Sequence, residues 1–146
     1  MMISTRGRYA LRILIDLAQH EQSGFTSLKG VAQRQNVSLK YLEYIASQLC
    51  KAGLLQSSRG KEGGYRLTRP ASELDVREVI CASEGKIAVV SCKECEGDVC
   101  ENAGECKTLP LWRNLEEVIN GYLSGVTVQM LMDGELDGET ANIGTD

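Results

Sequence analysis

The chain has 146 residues, 42% hydrophobic and 25% charged, with 20 Asp+Glu against 16 Lys+Arg and a net charge of −4. That suffices for one modest core and excludes two ordinary domains, and no run approaches the ~18 uninterrupted apolar residues of a membrane span. The basic start (Arg6, Arg8, Arg12) leads into an amphipathic segment without a small-residue cleavage site, so a cytoplasmic protein is expected, in which six cysteines bind metal or sense redox state rather than staple a secreted fold.

Ser4 or Thr5 can cap a first helix through RGRYALRILIDLAQH, where Ala10, Ile13, Leu14, Leu17 and Ala18 recur at helical spacing. Leu11 and Ile15 widen this stripe beyond one packing face, which points to a second surface such as a partner subunit. Gly24 breaks the chain. Thr26 or Ser27 then starts a shorter helix through Leu28, Val31 and Ala32, and after the turn pair Gln35-Asn36, Ser38 caps a third helix with Leu42, Ile45 and Leu49 on one face and Gly53 as its stop. Two helices joined by a tight turn, the second with polar residues near its start, have the form of a helix-turn-helix.

Leu54, Leu55 and Gln56 read as a strand and Tyr65, Arg66, Leu67 and Thr68 as its return, around the basic, glycine-rich tip SRGKEGG. Together they predict the wing of a winged helix, with Gly60, Gly63 and Gly64 supplying positive φ and allowing close approach to a phosphate. Pro70 ends the wing, and a linking helix passes through Val76, Val79 and Ile80. Residues 85 to 107, rich in Gly, Cys and acid, show no helical or strand period and cannot bury a core of their own. Thr108 and Pro110 open a longer helix whose Leu111, Leu115, Val118, Ile119 and Tyr122 form one apolar stripe, the pattern of a dimer interface. Thr127 caps a last turn through Met132, and the acidic remainder from Asp133 reads as a disordered tail. The expected organisation is therefore mainly α with a small β wing (α+β): residues 1–70 a winged helix-turn-helix, 71–107 a linking helix and cysteine loop, 108–132 a dimerisation helix and terminal turn, 133–146 a tail.

Charge divides along the same line. Residues 1–69 hold 11 Lys+Arg and 4 Asp+Glu, a net of +7, whereas residues 70–146 hold 5 and 16, a net of −11. A polyanion-binding front and a back repelled by nucleic acid follow.

In CKECEGDVCENAGEC, Cys92, Cys95, Cys100 and Cys106 stand at C-x2-C-x4-C-x5-C. Thiolates select soft or borderline metals, so an iron-sulfur cluster and zinc are the candidates, with a metal-free thiol switch as the third reading. Zinc usually takes two C-x2-C knuckles and only one is present, while a cluster tolerates the wider spacings. Glu94, Glu96, Asp98, Glu101 and Glu105 oppose thiolate formation in the bare loop, a penalty that a bound metal relieves. Cys50 and Cys81 read as buried structural thiols, and His20 as a helix-end residue that interacts with the dipole or faces solvent, with a role as a cluster ligand as the alternative. With one histidine and no base–nucleophile pairing, an enzyme is not expected; a small redox protein built on the loop is the remote alternative.

STRGRYALR at the start, SLKYLEYIASQLCKAGLL, SRGKEGGYRL, the cysteine loop and LPLWRNL together resemble the winged-helix regulators that include IscR, NsrR and CymR, over nearly everything from Met1 to about Leu131. The resemblance implies a homodimeric transcription factor, expected to be a repressor, that binds double-stranded DNA at a two-fold related operator and has no membrane partner. It implies that Ser38, Lys40, Tyr41, Glu43 and Tyr44 face the major groove with Glu43 contacting a base, and that Arg59 reaches the minor groove beside Gly60. Arg6, Arg8 and Lys61 would hold the backbone without reading sequence. The likeness is nearest to the cluster-binding IscR-like branch, which implies an iron-sulfur cluster, 2Fe-2S ahead of 4Fe-4S, at Cys92, Cys100 and Cys106. That branch has C-x5-C-x5-C and a histidine three residues on, where this chain has Leu109. Cys95 or a side chain of the partner's first helix would complete the set, and Arg8 stands where the NsrR-like branch has an aspartate. CymR-like members lack the loop and answer a partner protein.

Overall fold

The computed structural model describes residues 3–21, 24–90 and 100–136. Cys92, Cys95 and residues 137–146 of the expected tail lie outside the described residues. In chain order the elements are α1 (Thr5–Gln19), α2 (Leu28–Gln35), α3 (Leu39–Lys51), β1 (Leu55–Ser58), β2 (Gly64–Leu67), a 3-10 turn (Ala71–Glu73), α4 (Val76–Glu84), α5 (Leu109–Ser124) and α6 (Val128–Asp133).

Local chemistry sets the helix starts. Ser4, Ser27, Ser38, Asp75 and Thr127 each take extended backbone and accept a hydrogen bond from an N–H of the first turn, on Arg6, Lys29, Tyr41, Glu78 and Met130 respectively. Asn36 turns α2 into α3 with φ of 53°, a left-handed conformation that its short polar side chain tolerates. Gly53, with φ of 77°, redirects the chain from α3 into β1. Asp133 is the last residue of α6, followed by left-handed Gly134, so ordered structure runs beyond the expected start of the tail.

One cluster joins Ile13, Leu14 and Leu17 of α1 to Val31 of α2, Leu42, Ile45 and Leu49 of α3, Leu54, Leu55 and Leu67 of the wing root, and Leu74, Val79 and Val128. It therefore extends well past residue 70. A smaller cluster of Val76, Ile80, Ile87 and Val126 packs with Ile3, Leu11, Cys81, Ile119 and Leu123. Leu11 touches both clusters and Ile15 packs on the first, so the second surface expected for α1 is supplied by the chain itself. The segment after α5 returns to pair with the start of α4: the Val76 N–H donates to Val126 O at 2.8 Å and the Val128 N–H to Leu74 O at 2.9 Å.

Two polar clamps tie α1 to its neighbours. Asp16, 2% exposed, accepts from Arg34 Nη2 at 2.6 Å, Arg34 Nε at 3.0 Å and Gln35 Nε2 at 2.9 Å, joining α1 to α2. Burial alone would raise its pKa, but the hydrogen bonds from Arg34 and Gln35 and the positive charge beside it hold the carboxyl below its ordinary value. His20 Nδ1 stands 2.7 Å from Asp16 O and 3.4 Å from Asp16 Oδ1, which accounts for the only histidine at this helix end. At the other end of α1, Glu84 Oε1 accepts from Ser4 N (2.7 Å), Ser4 Oγ (2.7 Å) and Gly7 N (3.1 Å). A carboxylate on a helix N-terminus is favourable, and it fixes the root of the cysteine loop to the turn that carries Arg6 and Arg8.

Candidate nucleic-acid interface and cysteine loop

The helix-turn-helix presents one face of α3 outward. Ser38, Lys40 and Glu43 are exposed and Tyr44 is 47% exposed, while Leu42, Ile45 and Leu49 on the opposite face are buried. Tyr41 lies between the two faces, its ring edge-on to Tyr9 with centroids 5.9 Å apart. Arg12 stacks 4.8 Å over Tyr9 and donates from Nε to Gln35 Oε1 at 2.8 Å, so α1 supports the base of α3 and the end of α2 together. Arg6 and Arg8 are exposed in the first turn of α1, and Arg8 donates to Thr5 Oγ1 at 3.3 Å. Ser38, Lys40, Tyr41 and Tyr44 line one shallow recess.

β1 and β2 pair antiparallel from Leu55↔Leu67 to Ser58↔Gly64, and Arg59, Gly60 and Lys61 are exposed at the tip. A third chain segment completes the wing root: Thr26 and Tyr65 exchange both backbone hydrogen bonds at 2.9 Å. Gly60 and Gly64 have positive φ as expected, 106° and 151°. Gly63 does not, and its requirement is space, since a Cβ there would stand 2.8 Å from the Arg59 carbonyl carbon and closer still to Ser58 O. Arg66 lies 4.6 Å over the Phe25 ring and donates to Gln56 Oε1 at 3.1 Å. Burial, with smaller contributions from Cys50 and Glu43, raises the Tyr65 phenol, and burial likewise raises the Cys50 thiol against a hydrogen bond with Ser57. The seam between α3 and the wing is thus apolar, with Cys50 half-buried inside it.

Sequence reasoning missed Tyr9, Arg12, Phe25, Thr26 and Arg66 as supports of this face. Apart from the stack of Arg12 on Tyr9 within α1, their partners are 10 to 41 residues away along the chain, beyond the reach of any helical or strand period.

Of the four expected metal ligands, Cys100 and Cys106 are described and both are half-buried. Turns run from Cys100 to α5, with Ala103 N donating to Cys100 O at 3.0 Å. Cys106 Sγ is 3.5 Å from Thr108 Oγ1. That hydroxyl and the N–H groups of Thr108 and Leu109, which opens α5, lower the Cys106 pKa. Leu109 is buried and its side chain has no atom that could ligate a metal. The described residues contain no group of three or more His, Cys, Asp or Glu that could hold a metal, with Cys92 and Cys95 outside them. Beyond the loop, Leu111, Leu115, Val118 and Tyr122 of α5 lie exposed on one face, whereas Ile119 turns inward to the smaller cluster. Among the described residues no helix is long and apolar enough to cross a membrane.

The profile of a family described as iron-dependent transcriptional regulators, Rrf2, matches residues 3–134. A helix-turn-helix transcriptional regulator of Neisseria meningitidis serogroup A is 36% identical over 143 residues, covering 98% of this chain and 95% of the relative. The transcriptional regulator IscR of Photorhabdus laumondii is 39% identical over 135 residues, 92% of this chain and 81% of the relative. Among solved structures, CymR, the global cysteine regulator of B. subtilis, superposes with a TM-score of 0.76 at 36% identity and covers 92% of this chain and 98% of its own. T. potens IscR superposes with a TM-score of 0.72 at 30% identity, covering 97% and 93%.

Proposed function

Because the chain belongs to the Rrf2 family of transcriptional regulators, we propose that it is a homodimeric, sequence-specific repressor whose affinity for DNA is set by an iron-sulfur cluster in the cysteine loop. Like its relatives it is a DNA-binding regulator and not an enzyme, which removes the small redox protein from consideration.

The observation that carries the DNA-binding surface is the outward face of α3 beside an exposed basic wing tip. Glu43 reads a base. A carboxylate would be repelled by phosphates and gains only by accepting from a base edge such as cytosine N4. Arg59, with Gly60 and Lys61, enters the minor groove, where the potential is most negative. Arg6 and Arg8 position the backbone. Dimerisation through α5 is supported by the exposed apolar face, whose Leu111, Leu115, Val118 and Tyr122 repeat at four, three and four residues, the period of a helix–helix seam. A dimer presents two α3 helices to half-sites about 34 Å apart.

The donor set fits a cluster. The pKa of Cys106 is lowered by the donors around its sulfur, Cys100 stands in the turns before it, and Cys92 with Cys95 completes a four-thiol set in the sequence. When bound, the cluster supplies a redox-sensitive crosslink among these thiolates. The chain's own contribution is the placement of the loop's two roots: Glu84 holds the first on the N-terminus of α1, and Cys106 leads directly into α5. Order in the loop therefore bears on both the Arg6–Arg8 turn and the dimer helix, and so on half-site spacing.

Selection of duplexes from a random library, with affinity measured against salt, tests the reading. One sequence class and a steep fall of affinity with salt are expected. Glu43→Ala should reduce discrimination at one base pair per half-site by about 1–3 kcal/mol while weakening binding to other sequences little. Equal loss on every duplex would contradict base reading.

A further inference from the structure

The recess on the outward face of α3 has walls of unequal rigidity. Tyr41 donates its backbone N–H to Ser38 Oγ at 3.2 Å, and its ring is braced edge-on by Tyr9. Tyr44 is 47% exposed, so its ring is accessible on this outward face. Helical side chains lean toward the N-terminus, which carries Tyr44 over the turn of Lys40, its neighbour four residues earlier, and both line the recess. Lys40 brings a hydrocarbon stem with the ammonium at the rim. The result is a dent walled mainly by hydrocarbon, with a cation at its lip and the exposed Glu43 adjacent in sequence to its outer wall.

Among the groups on the floor of the major groove, the 5-methyl of thymine is the one apolar knob that could fill such a dent. Phosphates and sugars supply no apolar knob, and the basic front of the chain draws this face toward DNA. We propose that the recess formed by Lys40, Tyr41 and Tyr44 receives a thymine methyl, which makes Tyr44 a specificity-determining residue that adds a thymine to the base read by Glu43. This inference rests on the DNA-binding reading above.

The test uses the whole 146-residue chain, purified under nitrogen, and a duplex that it has itself selected from a random library. Each thymine is replaced by deoxyuridine, alone and with its symmetry mate, and affinity is read by fluorescence anisotropy at fixed salt. Removing one buried methyl costs about fourfold, so a symmetric pair costs about fifteenfold, and only one pair of positions should respond. Tyr44→Phe keeps this response because the ring walls the recess. Tyr44→Ala binds thymine and uracil duplexes equally, and because residue 44 is exposed the variant should melt within about 2 °C of the wild type. A selected duplex that tolerates uracil at every position overturns the inference and leaves DNA recognition intact. So does a methyl preference that persists in Tyr44→Ala. Absence of any selected sequence overturns the inference together with the reading beneath it.

Discussion

Gly64→Ala should detach the wing from the body of the protein and lower DNA affinity by about 100-fold, with a much smaller effect on the fold as a whole. A Cβ at residue 64 would stand 2.5 Å from the Thr26 carbonyl carbon and closer still to its oxygen, and the backbone there has φ of 151°. The first conflict involves backbone that cannot rotate away. Relief requires Thr26 and Tyr65 to separate, which gives up their two reciprocal 2.9 Å hydrogen bonds at about 1 kcal/mol each, in addition to about 1–2 kcal/mol of backbone strain. A total near 3 kcal/mol exceeds what holds a two-stranded hairpin in place, so the hairpin opens locally while the helical core persists. Arg59 and Lys61 then lose their fixed position, and two or more groove and phosphate contacts go with them. Loss of hydrogen-exchange protection at Thr26 and Tyr65, with near-normal protection in α1 and α3, is the expected signature. Gly60→Ala serves as the comparison: it carries φ of 106° but nothing lies within 4 Å of its Cβ, so strain acts alone and the loss should be several-fold smaller. Affinity of Gly64→Ala within threefold of wild type would refute the account of the wing root.

Asp16→Asn has the largest expected effect on stability, about 2 kcal/mol, equivalent to roughly 6–8 °C in Tm. The carboxylate is buried and takes three hydrogen bonds from Arg34 and one from Gln35. An amide cannot match both donors and leaves the guanidinium without its counter-charge. The loss stays below that of a fully buried pair because Arg34 is 36% exposed and can turn to water. The pair also sets a pH dependence. The Asp16 pKa in the folded chain lies below its ordinary value of about 3.9, so its contribution is complete above that pH and is lost as pH falls through the lowered folded value. Urea unfolding from pH 7 to pH 3 should therefore show a loss of stability confined to the region below about pH 4, and this component should be absent in Asp16→Asn. An unchanged acid limb in the variant would assign the dependence to other carboxylates.

What could be read from the sequence was local. Ser27, Ser38 and Thr127 announce helix starts because a cap needs only the residues one turn ahead. The glycines of the wing were legible as a turn, but only the close approach of Thr26 explains why Gly64 in particular is needed, and crowding rather than φ explains Gly63. Leu11 appeared as an excess on one helix; its second partner comes from α4 and the chain after α5, a contact that no period encodes. Val128, fully buried in the main core, looked like part of a terminal appendage for the same reason. The thiols of the loop were legible as a candidate ligand set, whereas the lowered Cys106 pKa required seeing the first turn of α5 fold back on it. Backbone shape does not separate the branches of the family, since CymR superposes at 0.76 and IscR at 0.72. The distinction rests on Cys92, Cys95, Cys100 and Cys106.

The measurement that bears most directly on the account is the affinity of the anaerobically purified chain for its selected duplex before and after iron is removed with a chelator. It is taken beside visible spectra, iron and acid-labile sulfide assays and a Cys100→Ala control. Broad visible absorption with both elements present, absent in Cys100→Ala, and at least a tenfold change in affinity on stripping are the results predicted. A colourless protein that resists reconstitution, or one whose affinity is the same with and without the metal, would contradict control by a cluster and leave zinc or a thiol switch as the signal.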